Sequence, residues 1–76
     1  MSAERTANLI RMINLIAANL AARGKEVAVA ETAEHIRMFW DPAMRSTILT
    51  TDRSALSEIA RDAVERLARA QQEETS

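Results

Sequence analysis

The 76-residue chain contains no cysteine, one glycine, one proline and only two aromatic residues. Without cysteine, it has none of the disulfide bonds that stabilise many small domains. An all-β chain needs turn residues and β-branched or aromatic strand residues at short intervals, and this sequence does not supply them. The composition therefore predicts an all-α fold.

The sequence also lacks a long apolar run and an excess of charge of one sign. No apolar segment approaches the ~20 residues that a membrane-spanning helix needs, and the start shows no basic-then-apolar signal sequence. Ten Lys and Arg against eleven Asp and Glu residues give a net charge of −1. This balance disfavours a surface that follows nucleic-acid phosphates. We expect a cytoplasmic protein that binds neither membrane nor nucleic acid.

Apolar residues recur at three- and four-residue spacing along the chain, the pattern of helices with one buried face. Gly24 is placed to end the first helix in a left-handed conformation. Asp41 and Pro42 suit the cap and first residue of a new helix, and Asp52 or Ser54 suits the start of the last one. The predicted helices span about 3–23, 27–40, 42–50 and 54–70, with a frayed polar tail over 71–76. We expect a single domain, 1–76, folded as a small bundle of three to four helices.

The shared apolar stripes also predict which side chains form the core. Phe39 is expected to turn inward beside the main stripe of the second helix. The six side chains expected to be largely buried in one bundle are Ile13, Leu20, Ile36, Trp40, Leu56 and Leu67.

Residues that carry chemistry are scarce. His35 lies near Glu31 and Glu34, but two or three potential ligands on one helix are more typical of surface acids that stabilise a histidine than of a metal site. Serine and threonine residues such as Thr50, Thr51 and Ser54 fall at predicted caps or loops, and Gly24 is too isolated to form a phosphate-binding loop. We therefore assign no catalytic, cofactor-binding or metal-binding residue, and we expect the chain to act by binding a partner.

A surplus of apolar side chains indicates where the partner binds. Met38, Phe39 and Trp40 are consecutive, so on a helix they cover about 200° of the circumference, more than one packing face buries. With Phe39 and Trp40 inward, Met38 is left outside, and Leu15 similarly lies off the stripe of the first helix. Arg37 and Arg45 flank this region and suit acids on a partner. The predicted partner-binding residues are Leu15, Arg37, Met38, Phe39, Trp40, Asp41, Pro42, Met44 and Arg45.

The run His35-Ile36-Arg37-Met38-Phe39-Trp40-Asp41-Pro42-Ala43-Met44-Arg45 closely resembles the central motif of the delta subunit of NAD-dependent, molybdenum-containing formate dehydrogenases. Weaker similarity extends to Arg11-Met12-Ile13-Asn14 in the first helix and to Ala63-Val64-Glu65-Arg66-Leu67 in the last. The chain departs from that family by Thr50-Thr51-Asp52-Arg53 and Ser57, in place of a glycine-rich linker and a proline. Leu15 also stands where a glutamine is usual.

The resemblance implies a small accessory subunit of a cytoplasmic enzyme complex. The large subunit of that complex is implied to hold bis-molybdopterin guanine dinucleotide and to oxidise formate, and iron–sulfur clusters and FMN pass the electrons to NAD. The chain itself would be no enzyme and would hold none of these cofactors. Its implied role is to stabilise the large subunit or to assist its assembly and cofactor loading. The alternative function is a small helical regulator that binds nucleic acid.

Overall fold

The computed structural model describes the backbone of residues 2–75 and the side chains of residues 3–72. Four α-helices and two short 3₁₀ turns make up this part of the chain, and it contains no β-strand. The predicted all-α bundle is confirmed. The helices are α1 (Ser2–Leu20), α2 (Lys25–Phe39), α3 (Pro42–Thr50) and α4 (Glu58–Thr75), and the 3₁₀ turns are Ala21–Arg23 and Arg53–Ala55.

The connection between α1 and α2 turns on Gly24. The chain tightens into the 3₁₀ turn after Leu20, so α1 ends three residues earlier than predicted. Gly24 has φ 99° and ψ 149°, a positive φ as expected, but with an extended ψ that only glycine adopts readily. Its N–H donates to the carbonyl of Ala21, and its own carbonyl accepts from the N–H of Ala28. Gly24 therefore closes the turn and also starts α2, which begins at Lys25 rather than near residue 27.

The start of α4 differs more from the sequence-based expectation. The carboxylate of Asp52 accepts from the N–H of Ser54 at 2.9 Å and caps the second 3₁₀ turn instead of the helix. Leu56 then takes an extended conformation, and the Ser57 carbonyl accepts from the N–H of Arg61 as α4 begins. The helix continues through Thr75, beyond its predicted end at residue 70. Ser76 lies outside the described residues.

The core lies where α1 and α4 pack against α2, with α3 closing one side over α1 and α4. Four of the six predicted core residues are buried: Ile13, Ile36, Trp40 and Leu56. Leu20 is only half-buried because it is the last residue of α1, at one end of the bundle. Leu67 packs against the core on one side but also lines an open groove beside α3. The buried core cluster comprises Leu9, Ile13, Ala17, Ile36, Trp40, Ile48, Leu56, Ala60 and Val64.

Ion pairs join the start of α2 to its neighbours. The Lys25 ammonium lies 2.6 Å from the Glu58 carboxylate and 3.5 Å from that of Asp62, both on α4. The hydrogen bond and charge of Glu58 raise the pKa of Lys25 above its usual value. The Arg23 guanidinium lies 3.1 Å from the Glu31 carboxylate on α2. These contacts are exposed and contribute little stability.

Candidate partner-binding site

A sharp corner between α2 and α3 organises most of the predicted partner-binding residues. Trp40 leaves the helical conformation, with φ −88° and ψ 137°, while its N–H still donates to the carbonyl of Ile36 at 3.0 Å. The Asp41 carboxylate accepts from the N–H of Met44 at 2.8 Å, and Pro42 is the first residue of α3. The aspartate thus satisfies one of the amides that a helix start leaves without a partner. The predicted capped corner is confirmed.

The apolar side chains at this corner divide between core and surface. Trp40 is 5% exposed and belongs to the core, whereas Met38 is 61% exposed, as the sequence predicted. Phe39 is 69% exposed, so its predicted inward orientation is wrong. It is the last residue of α2 and lies at the edge of the stripe that carries Ile36 and Trp40. Its ring instead contacts the ring of His35, with centroids 4.9 Å apart.

The corner therefore presents two large apolar side chains, Met38 and Phe39, next to each other on the surface. We call this pair the apolar corner. Trp40, the next residue, is buried in the core, and Met44 is half-buried against the core. Asp41 and Pro42 are exposed beside it. Met38 and Phe39 are the two consecutive residues among the five large apolar side chains exposed in the described part of the chain.

Two arginines flank the apolar corner and are held in place. The Arg37 guanidinium bonds to Glu34 one turn earlier on α2, with its Nε 3.2 Å from the carboxylate, and this contact lowers the pKa of Glu34. The Arg45 guanidinium donates to the carbonyl of Arg37 at 3.4 Å. That carbonyl belongs to the last turn of α2, where a positive charge is favoured. The sequence placed both arginines near the corner but did not predict this link between α2 and α3.

Leu15 is the one predicted site residue on another helix. It is 61% exposed, as predicted, and lies on the side of α1 opposite to the buried Ile13. The other eight residues lie at or next to the α2–α3 corner, between Arg37 and Arg45. Eight of the nine predicted residues are therefore close together along the chain, and Leu15 lies on a separate helix.

Sequence reasoning missed the role of Asn14 on α1. Its side-chain amide donates to the carbonyl of Ala55 at 3.1 Å and accepts from the N–H of Ser57 at 2.9 Å. Both backbone groups lie in the connection just before α4, so Asn14 ties α1 to that connection. The available signal was a polar residue directly after Ile13 on a helix rich in apolar side chains.

Among the described residues, no group of three or more His, Cys, Asp or Glu side chains is placed to hold a metal ion. No helix in the described part of the chain is long and apolar enough to span a membrane.

Comparison with models of known protein families gives a match. Neither the curated proteins nor the solved structures include a significant match to this sequence. The sequence model of the NADH-dependent formate dehydrogenase delta subunit family, FdsD, matches residues 8–64. The matched region contains α2, α3 and the whole apolar corner. It covers well over half of the chain, which therefore belongs to the family of formate dehydrogenase delta subunits.

Proposed function

We propose that the chain is a non-catalytic accessory subunit that stabilises a cytoplasmic NAD-dependent formate dehydrogenase or assists its assembly and cofactor loading. Family membership makes other subunits of that complex its partners. The observation that carries the proposal is the apolar corner, which lies within the family match and exposes Met38 and Phe39. Large exposed side chains flanked by fixed charges are typical of the centre of a protein–protein interface.

The proposed partner is the large, molybdenum-containing subunit. Met38 and Phe39 would fill apolar pockets on it, and the two flanking arginines would meet acids at the rim. Trp40 and Met44 would support this surface from within, because both pack in or against the core. The Asp41 cap fixes the angle between α2 and α3 and so presents the surface in one geometry before binding.

On this proposal, the catalytic cofactors belong to the other subunits. Bis-molybdopterin guanine dinucleotide, iron–sulfur clusters and FMN would carry electrons from formate to NAD in the partner complex. The residues of this chain would bind and orient the large subunit, and none would touch formate.

The direct experiment is to produce the other subunits with and without this chain. The measurements are the molybdenum content and the rate of formate oxidation per large subunit. We expect both to fall without the chain and to recover when it is produced together with the other subunits. Equal molybdenum content and equal activity, also after mild heating, would contradict an accessory role in stability or loading.

A further inference from the structure

A groove beside the apolar corner has the shape and charge of a second contact site. It lies between α3 and α4, next to the end of α2, and encloses about 340 Å³. Its apolar lining comes from Pro42, Leu49, Leu67 and Ala70, and Arg37 and Arg45 lie at one end. Leu49 and Leu67 each pack against the core on one side and face the groove on the other. The groove is therefore part of the rigid framework of the bundle.

The charge of this groove has one sign. No carboxylate lines it among the side chains of residues 3–72, and its two ionised residues are both arginines. Arg37 bonds to Glu34, whereas Arg45 is half-buried and bonds to a backbone carbonyl. A guanidinium group is planar, so its N–H groups point in fixed directions. The Arg45 guanidinium lies at the end of α2 and bonds to no described carboxylate. The groove thus combines an apolar floor with a fixed positive charge.

A second groove on the molecule provides the contrast. It lies between α2 and α4, and its charged lining residues are Lys25, Glu26, Asp62, Glu65, Arg66 and Arg69. Three cations face three acids there, and Lys25 already binds Asp62 at 3.5 Å. The charges in that groove cancel, so it offers no net charge to a partner. Of these two grooves, the one at Arg45 has only positive charges among its described lining residues.

We propose that the groove between α3 and α4 receives a segment of another formate dehydrogenase subunit in which an acidic side chain lies next to an aliphatic one. The inference rests on the proposed function, because it takes the other subunits as the source of that segment. The carboxylate would bind the Arg45 guanidinium, and the aliphatic side chain would lie on Leu49, Leu67 and Ala70. An open groove of this volume holds only a few side chains, so the occupant is a short segment.

The test uses the whole complex, purified with this chain as a subunit. Arg45→Glu reverses the charge, and Ser46→Trp fills the groove from an exposed position that lines it. We expect each variant to reduce retention of the chain in the complex by about tenfold at moderate salt. The matched control, Arg69→Glu, reverses a charge in the self-neutralised groove and should leave retention unchanged. Circular dichroism of each isolated chain checks that it remains helical.

A photo-crosslinking amino acid at position 46 then identifies the occupant. We expect a crosslink to a peptide of another subunit that contains Asp or Glu beside an aliphatic residue. Changing that acid to Arg should restore retention of the Arg45→Glu chain. Wild-type retention of both groove variants, or crosslinks from position 38 but none from position 46, would overturn the inference. If Met38→Glu still releases the chain in that case, the proposed function stands and only the groove is wrong.

Discussion

Thr32 on α2 is fully buried, and its hydroxyl has no hydrogen-bond partner in the described part of the chain. Leaving a buried hydroxyl unpaired costs about 1–3 kcal/mol. Thr32→Val keeps the shape of the side chain and removes the polar atom, so the free energy of unfolding should rise by about 1 kcal/mol. Urea unfolding of the two chains measures this difference. A less stable Thr32→Val chain would show that the hydroxyl has a partner in solution.

The burial of single residues follows from the sequence only in part. The spacing of Ile13, Ile36 and Trp40 places them on inward stripes, and all three are buried. Helical spacing gives the direction of a side chain but not what lies opposite to it. Phe39 lies at the edge of the inward stripe of α2 and is exposed, although the neighbouring Trp40 is buried. The unpaired hydroxyl of Thr32 left no signal in the sequence, since it depends on how the folded chain packs around α2.

The corner between α2 and α3 depends on the cap formed by Asp41. Asp41→Ala removes the bond to the N–H of Met44 and should lower the free energy of unfolding by about 1 kcal/mol. Asp41→Asn retains an oxygen acceptor and should lose only part of that stability. Thermal unfolding monitored by circular dichroism tests both variants. Equal stability of the wild-type and Asp41→Ala chains would mean that the cap does not hold the corner.

The connection before α4 depends on Asn14 in a similar way. Asn14→Ala removes both bonds to the backbone at Ala55 and Ser57 and should lower the free energy of unfolding by about 1–2 kcal/mol. Asn14→Asp keeps the acceptor for the Ser57 N–H but loses the donor to Ala55, so its stability should lie between the two. Hydrogen exchange of the Ser57 amide gives a local measurement. Unchanged exchange in the Asn14→Ala chain would contradict the assignment of this bond.

The helices were predictable where the chain carries strong stop and start signals. Asp41 and Pro42 placed the third helix at residues 42–50, which matches α3. The region from Thr51 to Ser57 was predicted less well, because Asp52 and Ser54 are capping residues and either can begin a helix or a tight turn. Their bond to each other closes a 3₁₀ turn, and α4 starts only after it. Asn14 on α1 bonds to the backbone at Ala55 and Ser57 and so stabilises the turn in this position.

The bundle as a whole belongs to a formate dehydrogenase subunit family, and its role in the complex is argued from its surface. The central motif was recognisable in the sequence because it combines Trp, Pro and two Met residues. The apolar corner and the groove beside it both lie around the junction of α2 and α3, which groups the proposed contacts on one region of the molecule. The groove was not predictable from the sequence, since Leu67 and Ala70 on α4 approach Pro42 and Leu49 on α3 only in the folded chain.

The most direct test of the proposed accessory role is Met38→Glu in the purified complex. Met38 is exposed, so the isolated variant should remain folded, with thermal stability close to that of the wild type. A glutamate at the apolar corner would be buried without a partner at the interface and should weaken binding to the large subunit by several kcal/mol.

Val27→Glu is the matched control, because Val27 is also an exposed apolar residue of α2 but lies at the opposite end of the helix. The measurement is the amount of each chain that co-purifies with the large subunit, together with the formate oxidation of the complex. The account predicts loss of the Met38→Glu chain and retention of the Val27→Glu chain. Co-purification of both variants at the wild-type level, with formate oxidation intact, would contradict it.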